Sequence, residues 1–339
     1  MKINHFKIGK KYIGHNKKAF IIAEIGINHE GNFYRCKKMI KAAAKSGADS
    51  VKIQTINVDE SYMPNTPSYR QFKNKNFSTK ELLKLKKYSE KLNVIFFSTP
   101  GDIDSLIRLI KIKVSAIKIS SGLATNLPLI DKAIKSKLPV IISTGLSLKK
   151  DLKELKKFIN KYKNKKIAIL KCTSQYPAEA KNLNISSIEY LKKEFKLPIG
   201  FSDHTIGDLA AVVAVSNGAK IIEKHFTLNK KKKGADHHIS LEPKDFKIMV
   251  KKIRLTEKMM GNKEYEISKE VKKKRNNYLR YITTKKEIKK GEIFSFKNIG
   301  FFRHNKRKLG LEPKFFFTFK NKKSKMRIKK NVILSKKNI

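Results

Sequence analysis

Eight short β-rich runs recur along the first 228 residues, and each finishes in polar or ionisable residues: FIIAEIGIN (20–28), SVKIQT (50–55), VIFFSTP (94–100), AIKISSG (116–122), VIISTG (140–145), IAILKCTS (167–174), PIGFSDHT (198–205) and IIEKHFTL (221–228). Helix-like stretches such as YRCKKMIKAAAKSG (34–47), DSLIRLIKI (104–112) and LSLKKDLKELKKFINKY (146–162) separate them. Eight strand-then-helix units predict a (β/α)8 TIM barrel. In that architecture the carboxyl ends of all eight strands meet at one rim, where active sites are built. The polar strand ends therefore read as one site scattered along the chain.

A length of 339 residues accommodates such a barrel and a smaller domain. The helix-like MVKKIRLTEKMMG (249–261) closes the last unit, with Gly261 as its stop. Residues 262–280 are polar and read as a linker. From 281 onward YITTKKEIKKGEIFSFKNIGFFR (281–303) and RIKKNVILSKKNI (327–339) predict a small, basic, β-rich appended domain. No apolar run reaches 18 residues, so no transmembrane helix is expected. The stretch AFII after the basic N-terminus is too short for a secretory signal, and the protein is expected in the cytoplasm. Cys36 and Cys172 have no CxxC or zinc-ribbon spacing and read as structural thiols in a reducing compartment.

The formal net charge is +51, yet only nine of the 79 basic residues are arginine. Lysine is spread over nearly every helix, as residue-usage bias produces, rather than gathered with aromatics on one face. The charge predicts faster encounter with anions and salt-sensitive, non-specific RNA binding, without a specific nucleic-acid partner. A polyanion-binding barrel is the reading from another class that this charge keeps open.

At the rim, SDH on strand seven and EKH on strand eight bring His204 and His225 to neighbouring strand ends. Two imidazoles without a third His or Cys at suitable spacing argue against a closed structural zinc site. They suit an octahedral Mn²⁺, Mg²⁺ or Fe²⁺ with open positions for water and a substrate oxygen. Lys52 and Lys118 lie inside apolar strands, where each needs an anion or loses its charge. With the hydroxyls of Thr99, Ser121, Ser143 and Ser202 they predict a cradle for phosphate and carboxylate; ion pairs with Glu24 or Glu223 are the structural alternative. Glu24, a carboxylate within strand one, reads as a general acid/base or a ligand of a substrate hydroxyl, or as a salt-bridge partner of Lys52 or Lys118.

Together the segments IIAEIGINHEG (21–31), VKIQT (51–55), FFSTP (96–100), KISSG (118–122), ISTGLS (142–147), CTSQYP (172–177), GFSDHTIG (200–207), IEKHFTLN (222–229) and GADHHISLEP (234–243) resemble the sialic acid synthase family. These enzymes condense phosphoenolpyruvate with an N-acylated amino sugar. The tail, with EIKKGE (287–292), Arg303 and GLEP (310–313), resembles the family's SAF (antifreeze-like) domain, expected over 281–339. The resemblance implies a domain-swapped homodimer whose SAF domain caps the partner's barrel. By position, His204 and His225 would hold a divalent metal, with Mn²⁺ favoured over Mg²⁺. Lys52, Thr99, Lys118, Ser121, Ser143, Ser174 and Ser202 would bind phosphoenolpyruvate. Glu24, Gln54, Tyr176 and Asp236 would face the sugar, and Arg303 its acyl group across the dimer. N-acetylmannosamine and a 2,4-diacetamido-6-deoxy hexose are both implied substrates, so the neuraminate, legionaminate and pseudaminate types stay open. Three departures stand out: Leu123 where the family has an acidic residue, Ala235 where it has proline, a mild exchange, and HNKRKLG (304–310) in place of an RPG-type turn.

Overall fold

The protein is described here by a computed structural model covering residues 5–163, 165–261, 264–304 and 310–339. The chain divides into two units, Met1–Gly261 and Asn262–Ile339. The first opens with a hairpin, β1 (Phe6–Ile8) and β2 (Lys11–Ile13). Gly9 turns it at a positive φ of 53°, a conformation glycine adopts without strain, and an added Cβ there would press on the Ile95 side chain, 2.9 Å from its Cδ1.

Eight parallel strands then close a barrel: β3 (Phe20–Gly26), β4 (Ser50–Thr55), β5 (Ile95–Pro100), β6 (Ile117–Ile119), β7 (Val140–Ser143), β8 (Ile167–Cys172), β9 (Ile199–Asp203) and β10 (Ile221–His225), with β10 pairing back onto β3. Every residue of β3 is buried, as a strand packed on both faces requires. The helices between are α1 (Phe33–Lys45), α2 (Val58–Ser61), α3 (Pro67–Phe72), α4 (Thr79–Lys91), α5 (Ile103–Lys111), α6 (Leu127–Lys135), α7 (Lys149–Ile159), α8 (Ser187–Phe195), α9 (Leu209–Ser216) and α10 (Pro243–Met260). Their apolar stripes, for example Leu106 and Leu109 of α5, join the strands in one core. Side-chain caps fix their starts; Ser78 and Glu81 form a reciprocal capping box before α4. This is the TIM-barrel architecture expected from the alternation.

The ladders end earlier than the β-rich runs. β6 stops at Ile119 and Ser121–Leu123 continue as a 3₁₀ turn; β7 stops at Ser143, β8 at Cys172 and β9 at Asp203. Ser121, Ser174 and His204 thus lie just beyond the hydrogen-bonded ladder, whereas Glu24, Lys52, Thr99, Lys118, Ser143, Ser202 and His225 stand within their strands.

The second unit contains α11 (Lys269–Tyr278), an antiparallel pair β11 (Tyr281–Thr284) and β12 (Ile299–Phe302), and α12 (Phe316–Phe319). Isolated bridges join Thr283 to Ile333 and Ile288 to Ile328 around a small core of Ile282, Phe294, Ile299, Phe316, Phe319 and Leu334. Its β structure is less regular than expected, and much of the polar stretch read as a linker is helix α11, started by the Ser268 cap. Among the described residues no helix is long and apolar enough to cross a membrane.

Candidate active site

A cavity of about 610 Å³ opens at the carboxyl rim of the barrel. All twelve residues assigned by the sequence to phosphoenolpyruvate, the metal or the sugar, apart from Asp236 and Arg303, line it: Glu24, Lys52, Gln54, Thr99, Lys118, Ser121, Ser143, Ser174, Tyr176, Ser202, His204 and His225. Asp236 stands at its edge, with Oδ2 3.6 Å from His225 Nδ1. Arg303 belongs to the second unit, where it is exposed and stacks over the Tyr278 ring at 5.0 Å. Residues 305–309 of the altered turn after it lie outside the described residues.

The floor is a chain of alternating charges. Lys52 Nζ lies 2.7 Å from Glu24 Oε2 and 3.7 Å from Glu223 Oε2, and donates to Thr99 Oγ1 at 2.9 Å. Lys118 Nζ lies 3.5 Å from Glu223 Oε1 and donates to Ser143 Oγ at 2.7 Å. Ser202 Oγ donates to the same Glu223 oxygen at 2.9 Å. The cradle and the ion pairs, posed as alternatives by the sequence, are the same lysines. Glu223 is the residue that sequence reasoning undervalued: it bridges both ammonium groups, and its position two before His225 on an alternating strand was the available signal. Burial pushes Glu24 up to about 7 despite Lys52, with Glu223 adding to the rise. Burial acts the same way on Glu223, but Lys118, Lys52 and the Ser202 hydroxyl outweigh it and hold its carboxyl below the usual range. One carboxylate of the pair is thus poised to carry a proton near neutrality and the other stays ionised.

The imidazoles sit on adjacent strand ends with ring centroids 5.4 Å apart. His204 Nδ1 lies 2.9 Å from the Thr173 carbonyl oxygen, which can only accept, so Nδ1 carries the proton and Nε2 presents its lone pair. The Tyr176 hydroxyl donates to that Nε2 at 3.2 Å, and the two rings stack at 4.1 Å. Burial, reinforced by the positive charges of Lys52, Lys224 and Lys118, holds His225 well below the usual imidazole range and therefore neutral. Its buried Nδ1 has no hydrogen-bond partner among the described residues. Two ring nitrogens, one on an imidazole oriented by a backbone carbonyl and one unsatisfied beside a carboxylate, fit a divalent cation that keeps open positions and displaces any proton on His204. No set of three or more His, Cys, Asp or Glu side chains forms a metal cluster among the described residues.

Asp236 is held by its own backbone. Its N–H donates to Asn28 Oδ1 at 3.0 Å and its carbonyl accepts from Ser240 Oγ at 2.6 Å. Glu30 grips the same loop through His237 and Lys232 while also pairing with Arg35; burial is the largest single influence and raises its carboxyl, but the three partners together outweigh it and lower the carboxyl to about 2. Ala235, just before Asp236, has a φ of 46°. Proline cannot adopt that value. Cys172, read as structural, is buried but lines the cavity, with Sγ 3.8 Å from His204 Nδ1. Ile56, Tyr62, Phe72, Leu123 and Leu146 complete an apolar part of the lining. Tyr62 and Phe72 stack at 5.5 Å and come from the α2–α3 segment, which no strand-end pattern flagged.

Comparisons with known proteins converge on one group. Residues 39–265 match the family model NeuB. The chain is 38% identical to the N,N'-diacetyllegionaminic acid synthase of Campylobacter jejuni, over 84% of this chain and 90% of the relative. It is 34% identical to a pseudaminic acid synthase of the same species, over 93% and 94%. The crystal structure of an N-acetylneuraminic acid synthetase from Leptospira borgpetersenii superposes with a TM-score of 0.77 at 34% identity, covering 80% of this chain and 95% of that one.

Proposed function

The chain belongs to the NeuB family, and on that premise we propose that it is a nonulosonic acid synthase, condensing phosphoenolpyruvate with the open-chain aldehyde of an N-acylated amino sugar. The observation that carries the reading is the joining, in one cavity, of a two-lysine cradle and an open imidazole pair. Lys52 and Lys118, with Thr99, Ser121, Ser143, Ser174 and Ser202, bind the phosphate and carboxylate of phosphoenolpyruvate. Gln54, Tyr176 and Asp236 orient the sugar. His204 and His225 would hold a divalent cation, Mn²⁺ or Mg²⁺, which when bound supplies Lewis-acid polarisation of a carbonyl oxygen.

In the reaction the alkene carbon of phosphoenolpyruvate forms the C–C bond to the aldehyde carbon, and the aldehyde oxygen takes up a proton. Water adds to the cationic carbon left behind and gives up a proton. The resulting hemiketal phosphate breaks its C–O bond, releasing phosphate and a 2-keto acid. The lysines neutralise the phosphoenolpyruvate anion throughout, and Glu24, with its raised pKa, holds or passes a proton at this floor. Arg303 is assigned to the sugar's acyl group within a homodimer, through the SAF-like second unit of the partner.

For the sugar, the 2,4-diacetamido-6-deoxy hexose is favoured, because Leu123, Ile56, Tyr62 and Phe72 offer an apolar lining to a methyl-bearing end. The test combines protein, Mn²⁺, phosphoenolpyruvate and either this sugar or N-acetylmannosamine. Phosphate and 2-keto acid are expected in equal amounts, faster with the deoxy sugar. No phosphate with either sugar would refute the reading.

A further inference from the structure

Behind the imidazole pair lies a second, fully buried charge pair that the chemistry above does not use. Strands β9 and β10 run parallel with Glu223 opposite Ser202 and Lys224 opposite Asp203. Alternation sends Ser202, Glu223 and His225 into the cavity, whereas Lys224 and Asp203 do not line it and have side-chain exposures of 0% and 0%. Lys224 Nζ lies 3.0 Å from Asp203 Oδ2. Asp203 is the residue before His204, and Lys224 the residue before His225. An ion pair between them joins the two strand ends immediately ahead of both imidazoles.

The pair also holds the chain just after His204. Asp203 Oδ1 accepts from the Thr205 N–H at 2.8 Å, and Lys224 Nζ donates to the Thr205 carbonyl at 2.6 Å. β9 ends at Asp203, so neither His204 nor Thr205 is fixed by the ladder. His204 is therefore bracketed by a carboxylate on one side and by a residue whose two backbone polar groups the pair satisfies on the other. Two desolvated charges are a costly way to join two strands, since apolar packing would serve stability as well or better. What the charges supply in addition is a fixed direction at Thr205, which an apolar pair cannot reproduce.

We propose that the Asp203–Lys224 pair is a positioning device that sets the separation and orientation of His204 and His225 for a shared divalent cation. This rests on the reading of the imidazoles as metal ligands. The carboxylate and ammonium act through the backbone of Thr205 and the β9–β10 register, in the way outer partners tune metal sites.

The experiment measures Mn²⁺ binding to metal-free protein by electron paramagnetic resonance, without substrates, at a temperature where circular dichroism shows each variant folded. It uses the unaltered protein, Asp203→Asn, Lys224→Met, the paired Asp203→Leu/Lys224→Met variant, and Arg254→Met at the opposite rim as a control for lost stability. The expected result is one tight Mn²⁺ per chain in the unaltered protein and the control, and a loss of affinity of about tenfold or more in the Asp203 and Lys224 variants. The paired variant is expected to regain thermal stability without regaining affinity. Unchanged affinity in the folded paired variant would overturn the inference while leaving the metal site standing. Absence of stoichiometric Mn²⁺ binding by the unaltered protein, or its persistence in His204→Ala/His225→Ala, would remove the metal reading and this inference with it.

Discussion

The two rims of the barrel handle buried charge in opposite ways. At the amino rim, Asp49 accepts from the Ile21 N–H at 3.0 Å and pairs with Arg254 at 3.0 Å and Lys11 at 2.9 Å. Arg254 also donates to the Ala19 carbonyl at 2.8 Å, and Glu257 accepts from the Ala19 N–H. Asp49, Arg254 and Glu257 each have an opposite charge and a backbone group to hold. At the carboxyl rim, Glu24 Oε1, Gln54 Oε1, Glu223 Oε2 and His225 Nδ1 are buried without a hydrogen bond among the described residues. Ser50 Oγ, where β4 begins, is the amino rim's exception. Polar groups left unsatisfied in this way cost stability, so they persist where a ligand completes them. The same strands thus carry a closed network at one end and an open one at the other.

If that contrast is functional, substitutions should separate rate from stability by rim. The largest effect is expected at the imidazoles: His204→Ala or His225→Ala should lower metal-dependent turnover by about a thousandfold, equivalent to about 4 kcal/mol of barrier, with little change in melting temperature. Steady-state phosphate release alongside thermal denaturation reads both. Next is Glu24→Gln, which should lower kcat by about a hundredfold and stabilise the fold at alkaline pH. The sign follows from its raised pKa: folding favours the protonated carboxyl, so the cost of ionised Glu24 is absent below its ordinary 4.5 and fully present above about 7. The melting temperature of the glutamine variant should accordingly exceed that of the unaltered protein at pH 8 and match it near pH 4. Equal melting temperatures at both would show that Glu24 is not strained by burial.

At the amino rim the balance should reverse. Arg254→Met leaves Asp49 with Lys11 as its only named counter-charge, beside the Ile21 N–H, and should cost about 1–3 kcal/mol of stability, with kcat and both KM values unchanged; denaturant unfolding and initial rates decide it. A rate loss matching the loss at the carboxyl rim would break the contrast. The smallest effect is expected from Leu123→Glu, a shift of about tenfold in the kcat/KM ratio toward the more hydroxylated sugar, measured by competing the two sugars.

The barrel was legible because its strands are apolar runs interrupted by helices at regular intervals, a pattern set by burial on both faces. Much of the rim was legible for the opposite reason: a lysine or glutamate inside such a run is expensive and announces a partner. Glu223 was visible by the same logic but fell beside His225 and was read only as a possible counter-ion. The Asp203–Lys224 pair escaped because period two shows that neighbours face apart and does not show which face is the cavity. Tyr62 and Phe72 reach the site from the α2–α3 segment, whose composition carries no strand-end signal. The clamp on Asp236, made by Asn28 and Glu30, joins segments about 200 residues apart, and local pattern does not encode such a contact. In the second unit the short strands and bridges fell below what alternation resolves, and α11 is polar on all sides, which is why it read as a linker.

The most direct test of the carboxyl rim as a condensing site uses phosphoenolpyruvate labelled with ¹⁸O at the oxygen bridging carbon and phosphorus, with Mn²⁺ and the 2,4-diacetamido-6-deoxy hexose. Cleavage at the C–O bond predicts that the released phosphate keeps the label and that a 2-keto acid appears in equal amount. Unlabelled phosphate, or phosphate released without the keto acid product, would contradict the account.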